Sequence, residues 1–311
     1  MKTVAVHLHL YYRNQADEML RFLRNLRGMA FDLFITMVEN DPNLIAKIQR
    51  VWPTAHVYVV PNRGYDVGPF IDFLHRINLN NYRYILKLHT KGTKSQNTTI
   101  LNGYVLTNAL WREIMLNTLI GSPARVRQNI NLLETQPEIG EIASAYCITE
   151  EPRTWRKMLP QINQVLTKMG LAPVKQVRFA AGSMFWIRAD LCRPLLAFTL
   201  HDFEPTNGHI KDGTLAHVME RVFGLIVPGQ GKRIAGIWDK TYQRRLMWAK
   251  IRHFFFQKKR TSKGYTLIKI VKIPVYHTRF RNFFFQKKTT KNGGMIIKIA
   301  KIPVYHTRGC A

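Results

Sequence analysis

The first 250 residues of this 311-residue chain predict a wound α/β fold, a mostly parallel sheet with helices on both faces. Three observations carry that prediction. Short β-branched and aromatic runs of strand length recur, at 4–12 (VAVHLHLYY), 31–39 (FDLFITMVE), 55–61 (AHVYVVP) and 82–89 (YRYILKLH). Between them lie stretches with apolar residues at helical spacing. The spacing is that of strand, helix, strand, which right-handed crossovers close into a parallel sheet whose ligands sit beyond the carboxyl ends of the strands.

Each element has its own justification. The N-terminal run is broken by His7 and His9 and lacks a small-residue cleavage site, so it reads as a first strand and not as a leader. Residues 14–26 begin with Asn14 as a candidate cap, carry Asp17 and Glu18 in the first turn and meet Gly28 just beyond, the marks of a helix start and stop. Pro42 to Val51 supplies the second helix. The stretch from 102 to 250 is more helical, with helices expected over 102–119, 123–134 and 152–169, a strand in FAAGSMFWIRAD and a helix in KDGTLAHVMERVF. No linker divides it. The expectation is one domain over 1–250, a strand-rich part at 1–100 followed by a more helical part at 101–250.

Composition excludes several classes. Apolar residues make up 46% and aromatics 11%, too many for a disordered chain. No apolar run reaches the roughly 18 to 20 residues that span a bilayer. Cys147, Cys192 and Cys310 are odd in number and widely spaced, which fits free thiols and no disulfide framework or metal site. The net charge is +28, but residues 251–311 hold fifteen Lys and Arg and no acid, leaving +13 for residues 1–250. That segment is a tandem duplication: 251–279 and 280–308 match at 20 of 29 positions, including FFFQKK and KIPVYHTR. In each copy Lys alternates with apolar residues so that neither strand face is cleanly apolar, and a buried sheet is not clearly specified. Phe beside Lys suits the headgroup boundary of an anionic membrane, although packing on the domain is the plainer alternative.

Candidate chemistry follows the strands. After the third comes PNRGYDVGPF at 61–70, in which Gly64 and Gly68 permit close approach and Asn62 and Asp66 suit sugar hydroxyls or backbone donors; an ordinary turn reads the same way. After the fourth comes KLHTKGTK at 87–94, where His89, Thr90, Lys91, Thr93 and Lys94 form a cationic, hydroxyl-rich loop suited to a diphosphate, or simply a solvated one. Gly182 and Ser183 precede Phe185 and Trp186, a sugar-binding floor or plain core. Asp212 stands at a helix start, with His217, Glu220 and Arg221 beyond, His217 and Arg221 sharing a stripe.

In this order and at these separations, NRGYDVGPF, KLHTKGTK, GSMFWIR and DGTLAHVMERVFG closely resemble the rhamnan synthesis protein F family of bacterial cell-surface polysaccharide synthesis. More distantly the arrangement is similar to GT-A glycosyltransferases, which implies a nucleotide-sugar-binding half at 1–100 and an acceptor half at 101–250. The resemblance implies a nucleotide-diphosphate-sugar donor held by His9, Glu39, Asn62, Arg63, Gly64, Asp66, His89, Thr90, Lys91 and Lys94. It implies an acceptor pocket of Gly182, Ser183, Phe185, Trp186, His217, Glu220 and Arg221, with Asp212 as catalytic base. Where GT-A enzymes usually carry Asp-x-Asp, this chain has His89-Thr90-Lys91, so no metal cofactor is expected, though a divalent metal stays open. The implied acceptor is a growing lipid-linked glycan such as O-antigen or capsule, the implied sugar rhamnose or a relative. The implied location is the inner face of the bacterial plasma membrane, with no nucleic acid partner. Two rival readings remain: a basic nucleic-acid-binding protein, and a catalytically inactive sugar-binding scaffold.

Overall fold

The computed structural model describes residues 4–92, 98–206 and 213–260, and further along 266–270, 285–289, 295–299 and 302–306. Residues 1–250 and 251–311 form two compact units.

The first unit is built on a seven-stranded sheet. In chain order its elements are β1 (Val4–His9), α1 (Ala16–Leu23), β2 (Phe31–Met37), α2 (Pro42–Val51), β3 (His56–Val59), α3 (Val67–Arg76) and β4 (Tyr84–His89). A two-stranded hairpin, β5 (Thr98–Leu101) and β6 (Tyr104–Thr107), leads into α4 (Asn108–Ile120) and α5 (Pro123–Thr135). Then come β7 (Ile139–Ser144), β8 (Ile148–Thr149), α6 (Leu159–Lys168), β9 (Phe179–Ala180), β10 (Phe185–Arg188), α7 (Leu215–Leu225), β11 (Arg233–Ile237) and α8 (Lys240–Phe255). The sheet order is β11-β7-β10-β4-β1-β2-β3, and β10 alone runs antiparallel to its neighbours. This is the expected mostly parallel wound sheet.

Side-chain alternation tells which helix covers which face. Phe185 pairs with Lys87, and the Lys87 ammonium lies 5.5 Å from the Phe70 ring of α3 and 5.6 Å from the Phe223 ring of α7. Trp186 points the other way, and its indole donates to the Leu119 carbonyl of α4 at 3.1 Å. Both faces are therefore helix-covered, and the layers between hold one continuous apolar core from Val4 to Leu246.

Some boundaries differ from expectation. The helix over 14–26 is α-helical only from Ala16 to Leu23, with tighter turns at Arg13–Gln15 and Arg24–Leu26, and Asn14 caps nothing. Its acids and Gly28, at φ +93°, do sit as read. The second helix starts as expected, with Asp41 accepting from the Leu44 amide at 3.0 Å and Pro42 in the first position. The helix expected over 102–119 begins only at Asn108, because the β5–β6 turn uses Asn102 and Gly103 at positive φ. Residues 152–158 form short turns before α6.

In the second unit, β12 (Phe256–Arg260) pairs antiparallel with β13 (Thr266–Ile270), and β14 (Phe285–Thr289) with β15 (Met295–Ile299), to which β16 (Ile302–His306) adds a third strand. Phe256 opposite Ile270 and Phe285 opposite Ile299 are the same pair one repeat apart. The duplicated sequence thus makes a duplicated hairpin, even though its side-chain pattern names no buried face. Among the described residues no helix is long and apolar enough to cross a membrane.

Candidate active site

A cleft of about 680 Å³ opens beyond the carboxyl ends of β1 and β4. Its wall is His9 at the end of β1 with Tyr11 and Tyr12 beyond, Asn62, Tyr65 and Asp66 before α3, and His89 at the end of β4 with Thr90 to Gly92 beyond. The turn before β10 adds Gly182 and Ser183, α7 adds His217 and Glu220, and α4 adds Trp111.

The floor is a buried ion pair. Lys87, central in β4 and fully buried, donates to Asp66, to the Ser183 carbonyl at 2.9 Å and to the Ser183 hydroxyl at 3.2 Å. The Ser183 hydroxyl donates in turn to Asp66 at 2.6 Å. Phe70, Phe185 and Phe223 surround the ammonium with their rings 5.5 to 5.9 Å away, so it has cation–π partners on its dry side. Burial would raise the Asp66 pKa, but the positive groups beside it and the hydrogen bonds from Lys87 and Ser183 outweigh burial and hold it well below the carboxylate range. Burial lowers the Lys87 pKa, and Asp66 opposes that. The pair stays ionised.

Histidines complete the floor in neutral form. The Thr36 hydroxyl joins His7 and His9, 3.0 Å from each ring. Burial pushes His9 down to about 4 and His89 down to about 3, and lowers His7 as well. At neutral pH the positive charge facing Asp66 is therefore that of Lys87. The His89 Nδ1 lies 3.3 Å from Asp66, close enough to feel its charge yet not aligned for a hydrogen bond.

Backbone constraints aim these groups. Gly182 has φ +92°, and a Cβ there would lie 2.8 Å from Met115 Sδ and 3.0 Å from Trp111 Nε1. Ser183 follows at φ +46°, a conformation unfavourable for a side-chain-bearing residue. It is held by its bonds to Lys87 and Asp66, while Glu220 accepts from the Gly182 amide at 2.7 Å. The loop after β4 is clamped too. Gln15 donates to the Lys91 carbonyl at 2.7 Å and accepts from its amide at 3.1 Å, Arg112 adds a bond to the same carbonyl at 3.0 Å, and the Tyr12 amide donates to the Thr90 hydroxyl at 2.9 Å. The Lys91 ammonium rests over Trp111, 4.1 Å from the ring centre.

Not every residue singled out from the sequence lines this cleft. His9, Asn62, Asp66, His89, Thr90, Lys91, Gly182, Ser183, His217 and Glu220 do. Phe185 and Trp186 are 1% and 0% exposed and belong to the core, so neither offers a face to a sugar. Glu39 is exposed and paired with Arg13 at 2.8 Å. Arg63 instead bonds the Phe203 carbonyl at 2.8 Å and the His201 carbonyl at 3.3 Å, tying the turn before α3 to the 200s. Gly64, at φ +67°, packs under the Phe203 ring. Arg221 is buried and bonded to the Thr154 and His217 carbonyls. Lys94 and Asp212 lie outside the described residues. Lys87, Tyr11, Tyr12, Tyr65 and Trp111 were not singled out. A lysine inside the apolar run YRYILKLH was the available signal for the first, and the Tyr pair ending VAVHLHLYY for the next two.

A model of the rhamnan synthesis protein F family matches residues 1–231. The chain belongs to that family. Proteins from two strains of Xanthomonas campestris pv. campestris, both described as uncharacterized protein WxcX, are 34% identical over 239 residues, 76% of this chain and 33% of theirs. The chain therefore spans about a third of the length of these curated relatives. A crystal structure of glucosyl-3-phosphoglycerate synthase from Mycobacterium tuberculosis, solved with Mn2+, UDP and glucosyl-3-phosphoglycerate, covers 88% of each chain at 10% identity and a TM-score of 0.39. That likeness is one of broad outline and says nothing of what this chain binds.

In this member of the rhamnan synthesis protein F family the described residues do not suit a divalent metal. The cleft's two carboxylates are engaged, Asp66 by Lys87 and Ser183, Glu220 by the Gly182 amide and by Arg221 at 2.8 Å. A hard cation at Asp66 would sit beside the Lys87 ammonium. No cluster of three or more metal-ligating side chains occurs among the described residues.

Proposed function

We propose that the protein is a glycosyltransferase that moves a sugar, rhamnose or a relative, from a nucleotide-diphosphate-sugar to a growing lipid-linked cell-surface polysaccharide. The observation that carries this reading is the cleft: Lys91, its ammonium over the Trp111 ring, on a clamped loop beside hydroxyls and aromatic rings, where a wound sheet presents its strand ends.

In the proposed reaction Asp212 takes the proton of an acceptor hydroxyl. The oxygen attacks the anomeric carbon while the bond from that carbon to the diphosphate oxygen breaks. Lys91 and Lys94 stabilise the charge that develops on the departing diphosphate, the role a metal fills elsewhere. Tyr11, Tyr12 and Tyr65 supply rings and hydroxyls for the nucleoside and sugar. Lys87 and Asp66 touch neither partner directly in this scheme; they fix Ser183 and the turn before α3. Residues 1–250 would be the catalytic part, and the basic repeats at 251–311 would hold it against an anionic membrane, on the cytoplasmic side where nucleotide sugars are made.

Donor hydrolysis by the purified protein, measured over a panel of thymidine, guanosine and uridine diphosphate sugars, tests the reading. Release of nucleoside diphosphate from one donor and not the rest is the expected result. No release from any, with no binding of any by calorimetry, would leave the inactive sugar-binding scaffold as the better account.

A further inference from the structure

A second cavity, of about 530 Å³, lies at the carboxyl ends of β7 and β11, apart from the cleft. Trp238 stands at its edge with 60% of its surface exposed, an unusual position for so large an apolar ring. The ring is not loose. It packs edge to face against buried Tyr146, 4.9 Å away at 88°, and Tyr146 in turn meets Tyr104 edge-on at 80° and is bonded through its hydroxyl to the Asp239 carbonyl at 2.7 Å.

Beside Ala145 and Ile148, the wall presents planar polar groups from Asn102, Glu150, Glu151 and Arg178. Asn102 spends its amide NH2 on the Ile148 and Tyr146 carbonyls, which leaves its side-chain oxygen directed by the same geometry. Glu150 and Arg178 pair with each other at 3.4 Å, both more than half exposed, so the pair adds little to stability and is open to exchange for a ligand. Gly236 forms part of the floor, where a Cβ would meet the Ile148 and Ala145 side chains at 2.9 and 3.0 Å.

We infer that this cavity is a saccharide subsite, in which a pyranose lies on Trp238 while its hydroxyls bond Asn102, Glu150 and Arg178. A pyranose has one face of C–H groups and a rim of hydroxyls. A rigid exposed indole beside amide, carboxylate and guanidinium planes matches both parts, and a rigid ring loses little entropy on binding. A phosphate fits less well, because two carboxylates face it. Resting on the transferase reading, the ligand is a sugar unit of the acceptor chain some residues from the reacting end. The β5–β6 hairpin links the two places, since Thr99 lines the cleft and Asn102 lines the second cavity.

The test is calorimetric titration of the full-length protein with a rhamnan hexasaccharide, without donor. Because Trp238 is mostly exposed, Trp238→Ala leaves the fold intact. Its affinity should fall about tenfold or more, while Trp238→Phe, which keeps a ring, stays within about threefold. Donor hydrolysis should be unchanged in both. Equal affinity in the wild-type and Trp238→Ala proteins, or no binding to the wild type at millimolar sugar, overturns the subsite. Trp238-dependent binding in a protein that hydrolyses no donor would sink the transferase reading and still support the subsite.

Discussion

Glu141 sits in the middle of β7 with none of its surface exposed and neither carboxylate oxygen bonded to any described group. Its cross-strand neighbours are Ile187 and Ile234. Burial alone pushes it up to about 8 from an ordinary value of 4.5. An acid raised in this way stays protonated in the native state over a range where the unfolded chain has already lost its proton. Stability therefore falls as pH rises from 4.5 towards 8, by about 1.4 kcal/mol per unit. Between those limits the loss is roughly 5 kcal/mol, and by pH 7 roughly 3 kcal/mol. Below about pH 6.5 the buried neutral histidines His7, His9 and His89 act in the opposite direction, because they are protonated more readily when unfolded. The histidines contribute equally to the wild type and to a variant lacking the carboxyl, so their difference between pH 6.5 and 8 isolates Glu141, with about 2 kcal/mol of slope. Glu141→Leu, similar in volume, removes the group. Urea unfolding of both proteins at pH 6.5, 7.2 and 8.0 should show the variant more stable at every point, with the gap widening by about 2 kcal/mol. A gap independent of pH, or a less stable variant, would mean that the carboxyl has a partner or a solvent path that the geometry does not contain.

Further outcomes follow from the site and the tail. Asp212→Asn should abolish transfer and leave donor affinity within about threefold, since a base acts on the acceptor in the transition state; near-wild-type turnover would remove Asp212 from that role. Activity should survive strong chelation, and Lys91→Ala should weaken nucleoside diphosphate binding about tenfold to a hundredfold by calorimetry, as loss of one charge-assisted contact does; metal-reversible inhibition by a chelator would defeat this. Gly224→Ala in α7 should cost about 1 to 3 kcal/mol in urea unfolding. Its Cβ would lie 2.3 Å from the Arg178 carbonyl oxygen and 2.5 Å from the Phe179 Cα, and an unchanged midpoint would show that α7 and β9 are not in close contact. A chain ending at Lys250 should stay folded and still hydrolyse donor but no longer sediment with anionic vesicles; undiminished vesicle binding would place the membrane contact elsewhere.

The first four strands and two of the helices between them were legible because their patterns are local: β-branched runs of strand length, Pro42 at a helix start, Gly28 past a helix end. Tertiary context decided the rest. The direction of β10 is invisible in FAAGSMFWIR, since an apolar run pairs equally well either way until the chain's path is known. Phe185 and Trp186 illustrate the same limit, because an aromatic beside small residues reads alike as a sugar platform or as core, and only the cover supplied by α4 and α7 tells them apart. Arg63 and Glu39 stand at strand ends where ligands gather, yet their side chains turn to the Phe203 carbonyl and to Arg13.

Lys87 connects these limits to the chemistry of the cleft. A lysine within YRYILKLH is costly in a buried strand, and the cost is offset only because Asp66, 21 residues earlier, and Ser183, 96 residues later, converge on it. Removing one partner leaves the other charge buried, a loss of about 3 to 5 kcal/mol for such pairs. That expense secures more than folding. It fixes the turn before α3 and the strained turn at Gly182-Ser183 to the same ammonium, so two cleft walls from opposite halves of the chain are held at one spacing. It also places the Lys87 ammonium in the floor against the Asp66 carboxylate, among three histidines that burial keeps neutral. Among the described residues lining the cleft, Lys91 then carries the positive charge left to meet a ligand, and under the proposed transferase reading that side chain and its loop would meet the diphosphate.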